Sequence, residues 1–260
     1  MLPARITQVL QALLVCTFLL GSQAQAQSPS HPADPIVMGS LDKGWPPYLF
    51  SQDDPRHLGI MVDIFIEAST ALDFHVNITW LPEKRAMLDL EQGQIDVYAK
   101  AKEWVPSPSL FLWSAPIIYS TDVLIFRAGE DFAFNSPKDL AGKTVGTVLG
   151  FRYPRLEKLF LSGTCTRMDA NNARTQLKML LSGRLDTAVV NQLVAQWLIR
   201  EDPSRSPSQV SFSLTPLDTA AYRYAFSMHR TWGTFIQDLD REIERMRCDG
   251  RMKTILDRYR

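Results

Sequence analysis

WSAPIIYSTDVLIFR, residues Trp113 to Arg127, decides how this chain folds. Trp113-Ser114-Ala115-Pro116 reads as a loop and Ile117 to Phe126 as a long strand. Ile117, Tyr119, Thr121, Val123 and Ile125 alternate with a second set of comparable apolarity, so the strand is expected to be buried on both faces. Far downstream, Tyr222-Arg223-Tyr224-Ala225-Phe226-Ser227-Met228 offers a second strand of the same kind. Two such strands, with a large segment between them, describe a chain that leaves one lobe, builds another and returns. The gap between two lobes is a place where small molecules bind.

The segments on either side carry an α/β alternation. Before the loop, Ile36 to Leu41 reads as a strand, Asp42 to Tyr48 as a turn-rich loop and Leu58 to Leu72 as a helix. In that helix Met61, Ile64, Phe65, Ala68 and Leu72 share one face. Phe74 to Trp80 alternates as a strand, Pro82 opens a helix running to Glu91, and Ile95 to Ala99 is a short buried strand. After the long strand the grammar repeats. Ser136 to Leu140 is a capped turn, Lys143 to Val148 a strand, and Pro154 to Leu161 a helix. A helix capped by Asn171 stops at Gly183, Leu185 to Val190 is a strand, and Asn191 to Ile199 a helix. Thr231 to Gly250 carries a long amphipathic helix with Trp232, Phe235, Ile236, Leu239, Ile243 and Met246 on one stripe, and a short terminal helix follows. The expected fold is α/β with mostly parallel sheets, in two lobes joined by two crossovers: 36–122 with 222–260, and 123–221.

Residues 1–26 are read as a signal peptide. Arg5 is their only charge, Leu10 to Leu20 is apolar, and Ala24-Gln25-Ala26 has the small-x-small form of a cleavage site. Residues 27–35 are a polar lead-in. The chain is thus expected to be exported to the periplasm. Its 28 Lys and Arg balance 28 Asp and Glu, and loss of Arg5 leaves one excess negative charge, so nothing points to nucleic acid. Cys165 and Cys248 remain after cleavage, and in an oxidising compartment an even pair is expected to form a disulfide. There is no CxxC, and the four His are scattered, so neither a metal nor a cofactor is expected.

Several segments, taken in order, resemble the periplasmic solute-binding proteins of family 3, which include the polar amino-acid receptors of ABC importers. They are the Trp45-Pro46-Pro47-Tyr48 loop, Gly59 to Ile64, Leu90 to Asp96, Trp113 to Pro116, Asp139 to Gly146, Leu181 to Val189, and Cys248-Asp249-Gly250. The resemblance covers nearly all of the chain after the leader. It implies a two-lobed, type II binding-protein fold, a monomer, and a partner that is an ABC permease or a sensor protein. It also places Asp42 as a polar contact and Trp45 as an aromatic wall. Two of the family's ligand-holding positions are altered. No arginine lies between the Ile95-Asp96 strand and the Trp113 loop, and the acid that usually takes a ligand ammonium is Asn191. The family's small Ser/Thr-Gly-Thr loop reads Leu149-Gly150-Phe151-Arg152.

These substitutions point away from an ordinary α-amino acid. Asn191 offers hydrogen bonds but no charge. Arg85 and Arg152 can grip a carboxylate with two parallel bonds, and Lys100 and Lys102 act as point charges. With Trp45, Tyr48, Trp104 and Phe151 near the same opening, the expected ligand is a small polar or anionic solute, amino-acid-like or an aromatic acid. Each residue has a plainer role open to it. Arg85 can be solvated or paired on its helix, Lys100 and Lys102 can face water, Trp104 can pack beneath a loop, and Asn191 can simply cap a helix. The competing function is an enzyme of the same fold, such as a periplasmic dehydratase, for which Asp42 and Glu103 are the candidate acid and base. The chain has no nucleophile elbow, P-loop or GxGxxG motif, and the expectation is a binding protein.

Overall fold

β5 (Ile118–Arg127) and β10 (Asp218–Phe226) run antiparallel through the middle of the sheet, with Ile118 opposite Tyr222 and Asp122 opposite Asp218. The computed structural model describes residues 34–54 and 58–259. The leader, and residues 27–33 of the lead-in, fall outside them.

On one side of this central pair lie β1 (Ile36–Leu41), β2 (Val76–Leu81) and β3 (Val97–Ala101). β1 is parallel to both neighbours, and β3 meets β10 antiparallel. Their helices are α1 (Ile60–Thr70) and α2 (Glu83–Glu91). On the other side lie β6 (Thr144–Val148), β7 (Thr166–Ala170) and β8 (Thr187–Asn191), with β6 parallel to both and β8 antiparallel to β5. Their helices are α3 (Pro154–Leu161), α4 (Ala173–Leu181) and α5 (Gln192–Arg200). Two short strands, β4 (Leu112–Trp113) and β9 (Val210–Phe212), add to β10 and β5 respectively. The chain ends in α6 (Phe235–Asp249) and α7 (Arg251–Asp257), which pack against α1.

The order β2-β1-β3-β10-β5-β8-β6-β7 makes the two halves of the sheet continuous only through β10 and β5. Each half has its own apolar packing. Met38, Phe65, Val97, Tyr224, Leu239 and Met246 belong to the first, whereas Leu124, Phe126, Leu140, Val145 and Leu156 are packed in the second. α5 bridges them. Its Ala195 and Ile199 pack on Val123 and Ile125, while Val194 and Trp197 join the first core, where Trp197 meets the edge of Phe50 at 5.3 Å between ring centres.

Several expectations need correction. β5 is buried on both faces only from Val123 to Phe126, because Tyr119, near its start, is 62% exposed. β7 was missed because it is a polar edge strand, Thr-Arg-Met-Asp-Ala, with only Ala170 buried. Asn172, rather than Asn171, caps α4, accepting from the Thr175 amide at 2.9 Å. α6 begins at Phe235, since Trp232 is held in the preceding turn by its indole bond to the Ser227 carbonyl at 2.8 Å. The expected disulfide does not form. Cys165 lies buried among Leu140, Phe134 and Leu156 of the second half and Cys248 on the surface of α6, a helix of the first, and both thiols are free.

The docking of α5 onto the first core is testable. Trp197→Ala removes a large side chain that is almost fully buried. It is expected to lower stability by about 3–5 kcal/mol in urea unfolding, as truncation of a core aromatic does. A change under about 1 kcal/mol would mean that α5 is not seated there.

Candidate functional site

The loop after β1 is positioned by the start of α1. The amides of Ile60 and Met61 donate to the carbonyls of Pro47 and Tyr48, at 3.0 and 3.1 Å. Gly59 allows this approach: it has φ of 110°, and a Cβ there would lie 2.5 Å from the Tyr48 oxygen. The Gly59 amide in turn donates to the Tyr259 hydroxyl at 3.2 Å. Because first-turn amides are the ones a helix leaves unpaired, the loop carbonyls satisfy α1 while α1 fixes the loop.

This places Trp45 and Tyr48 over the central strands. Trp45 stacks on Tyr48 at 4.8 Å, and Tyr48 stacks on Tyr222 of β10 at 5.3 Å. Trp104, in the single 3-10 turn Lys102–Trp104 after β3, meets the edge of Tyr222 at 5.4 Å. Tyr48 and Tyr222 are buried, whereas Trp104 remains 43% exposed and Trp45 half-buried, so these two indoles present the open faces. Lys100 sits over the Trp104 ring at 5.6 Å and is paired with Glu83.

The Tyr48 hydroxyl donates to Asn191 Oδ1 at 3.1 Å. The same oxygen accepts from the Val194 amide at 3.2 Å, so Asn191 caps α5 as well, and its Nδ2 donates to Ser120 Oγ at 2.8 Å. Every hydrogen-bonding atom of the Asn191 amide group is therefore engaged by protein. Burial pushes the Tyr48 hydroxyl up to about 12, which keeps it a donor at neutral pH. Opposite Asn191 on β5 stands Asp122. Burial, and the Asp218 carboxylate facing it from β10, push its carboxyl up to about 6, against the favourable effect of Asn191 beside it.

Among the residues singled out from the sequence, the structure brings together Trp45, Tyr48, Lys100, Trp104 and, through Tyr48, Asn191. Asp42 stays at the loop start, where its carboxylate accepts from the Lys43 amide at 2.8 Å. Arg85 turns to Asp89 on its own helix at 2.7 Å, the plainer of its two readings. Lys102 is exposed, and Phe151 and Arg152 are exposed on the loop after β6; neither Lys102 nor Arg152 makes an ion pair among the described residues. Three residues of the cluster were missed: Tyr222, Ser120 and Asp122. All three lie in the two strands recognised as crossings, and the alternation that puts Ser120 and Asp122 on one face was the available signal. Among the described residues no group of three or more His, Cys, Asp and Glu is placed to hold a metal ion.

The family model for bacterial extracellular solute-binding proteins, family 3, matches residues 36–260. The chain belongs to that family. Solved structures of similar fold include substrate-binding domain 2 of Lactococcus lactis GlnP in its open conformation, 18% identical, with a TM-score of 0.68 over 86% of this chain and 94% of that one. The L-cystine solute receptor of Neisseria gonorrhoeae, in its unliganded open conformation, is 17% identical, with a TM-score of 0.67 over 86% of this chain and 92% of that one. A histidine kinase sensor domain similar to periplasmic binding proteins is 16% identical, with a TM-score of 0.64 over 88% of this chain and 96% of that one. No curated protein sequence matches the chain. The fold of this family-3 protein is thus the two-lobed α/β fold of type II binding proteins.

Asp122 gives the site a pH signature. Its carboxyl is raised to about 6 in the fold, above the value of about 3.9 for a free Asp. Between these values the folded chain holds more protons than the unfolded one, so stability falls as pH rises from about 4 to 6. Asp122→Asn is expected to abolish that slope, making the protein about 1–3 kcal/mol more stable than wild type at pH 8 with little difference at pH 4. Urea midpoints at the two pH values read it, and equal effects at both would contradict it.

Proposed function

We propose that this family-3 protein is an exported solute receptor. It captures a small polar or anionic ligand, an aromatic acid or an amino-acid-like acid, for an ABC importer or a sensor protein. The ligand lies between the lobes 36–122 with 222–260 and 123–221, and closure of the lobes about β5 and β10 is what the partner reads. One observation carries the reading of ligand class: Trp45 and Trp104 offer open indole faces, while the position facing a ligand ammonium is a neutral Asn191 whose amide is already engaged by Tyr48, Ser120 and Val194. A flat apolar body suits the indoles. Lys102 and Arg152, neither in an ion pair, are the cations left to receive a carboxylate as the lobes close. Asp42 supplies a polar contact in this reading, and Phe151 a second apolar face. No helix among the described residues is long and apolar enough to cross a membrane.

A second reading is supported by Asp122. A carboxyl lifted to about 6 beside a binding site is what a general acid needs near neutral pH, and it is a better candidate than Asp42 or Glu103 for dehydratase chemistry in this fold. Product formation from arogenate or prephenate would favour it, and absence of turnover would leave the receptor.

Mass spectrometry of whatever co-purifies, together with thermal shift against organic, aromatic and amino acids, tests the receptor. Aromatic or organic acids are expected to stabilise the protein, and Trp45→Ala to weaken the best of them tenfold or more, about 1.4 kcal/mol. Stabilisation by lysine or arginine alone would contradict the reading.

A further inference from the structure

A cavity lies beside the aromatic cluster and meets it only at Tyr48. It has a volume of about 900 Å3, within the range that suits small molecules, and shares only Tyr48 with the residues singled out from the sequence. Tyr119 and Thr121 of β5 line it, and alternation puts them on the strand face opposite Ser120 and Asp122. α5 forms another wall through Leu193 and Gln196, and the segment 202–212 a third. Tyr48 stands between this space and Asn191.

The charges of the lining do not cancel. Asp202 is its one acid, and its carboxylate is already held by Arg205 Nε at 2.8 Å and by the amide and hydroxyl of Ser204 at 3.1 and 2.6 Å. Two arginines, Arg200 and Arg205, line the cavity against that single carboxylate. Arg200 lies over Trp197 at 4.5 Å. The side chain of Arg205 is only 6% exposed, yet its buried Nη1 has no hydrogen-bond partner. A guanidinium carries five donors, and a fork buried in this way is the geometry that a carboxylate completes. Tyr119, Leu193 and Phe212 give the wall an apolar and aromatic surface, beside the polar Thr121, Gln192 and Gln196.

We propose that this cavity is a second solute site, separate from the aromatic cluster, which takes a small organic monocarboxylate with its acid group on Arg205 and its apolar body along Tyr119 and Leu193. The site does not depend on what the cleft binds.

Isothermal calorimetry with phenylacetate as probe, on the full mature chain, tests the proposal. Wild type is expected to bind saturably. Trp45→Ala, which removes the aromatic cluster's share of an aromatic acid, is expected to keep saturable phenylacetate binding, and inorganic phosphate, which lacks the apolar body, to bind at least tenfold more weakly. Combined with Trp45→Ala, Arg205→Met is expected to weaken the remaining binding tenfold or more, and Leu193→Trp, which fills the space while leaving Arg205 and Asp202 in place, to abolish it. Loss of phenylacetate binding in Trp45→Ala, with Leu193→Trp unaffected, would put the probe in the cleft and overturn the proposal, as would no saturable binding to wild type. A failed cleft reading shows instead as an acid panel without effect on the aromatic cluster, so the two outcomes are separable.

Discussion

The antiparallel ladder between β5 and β10 is the constraint on which the molecule depends. The two halves of the sheet meet only there, so any change in their relative disposition must pass through Ile118–Asp122 and Asp218–Tyr222. The chain secures the approach to this ladder from outside it. Arg247 of α6 donates to the carbonyls of Pro116 and Ile117 at 2.8 and 2.6 Å, Asp240 accepts from the Ala115 amide at 2.8 Å, and Arg223 donates to the Ser114 carbonyl at 2.9 Å. Charge-assisted bonds from a docked helix thus add to the packing of Ile117 in holding the segment that enters the ladder.

The same ladder explains the chemistry beside it. Tyr222 enters the aromatic stack because it sits at the end of the ladder, opposite Ile118 and next to the loop that α1 holds in place. Asp122 and Asp218 face one another because the register makes them partners, and like charges directly opposite in a sheet are unfavourable. The Tyr48–Asn191 bond joins the loop of one half to the helix cap of the other.

Much of this was legible in the sequence, and the misses share a cause. The α/β alternation, the crossing strands and the helices were readable because each has an apolar face of the right period, as Met61, Ile64, Phe65 and Ala68 do in α1. β7 was not, since an edge strand that buries only Ala170 leaves no alternation to read. The site was half legible. Trp45 and Trp104 carry their size and position in the sequence, but Arg85 and Lys100 were spoken for by Asp89 and Glu83, and a partner one helical turn away or on a neighbouring element is a matter of rotamer and approach. The disulfide failed for a related reason: counting cysteines in an oxidising compartment says nothing of where the fold places each thiol, one buried and one exposed.

The central claim is that solute in the gap draws the two halves together about β5 and β10. Small-angle X-ray scattering measures this directly on protein stripped of bound solute by unfolding, dialysis and refolding, and then given a solute shown by calorimetry to bind at the aromatic cluster. The account predicts a smaller radius of gyration with that solute, and the same contraction blunted when Asn191→Ala removes the contact with Tyr48. A radius unchanged by saturating solute would contradict it.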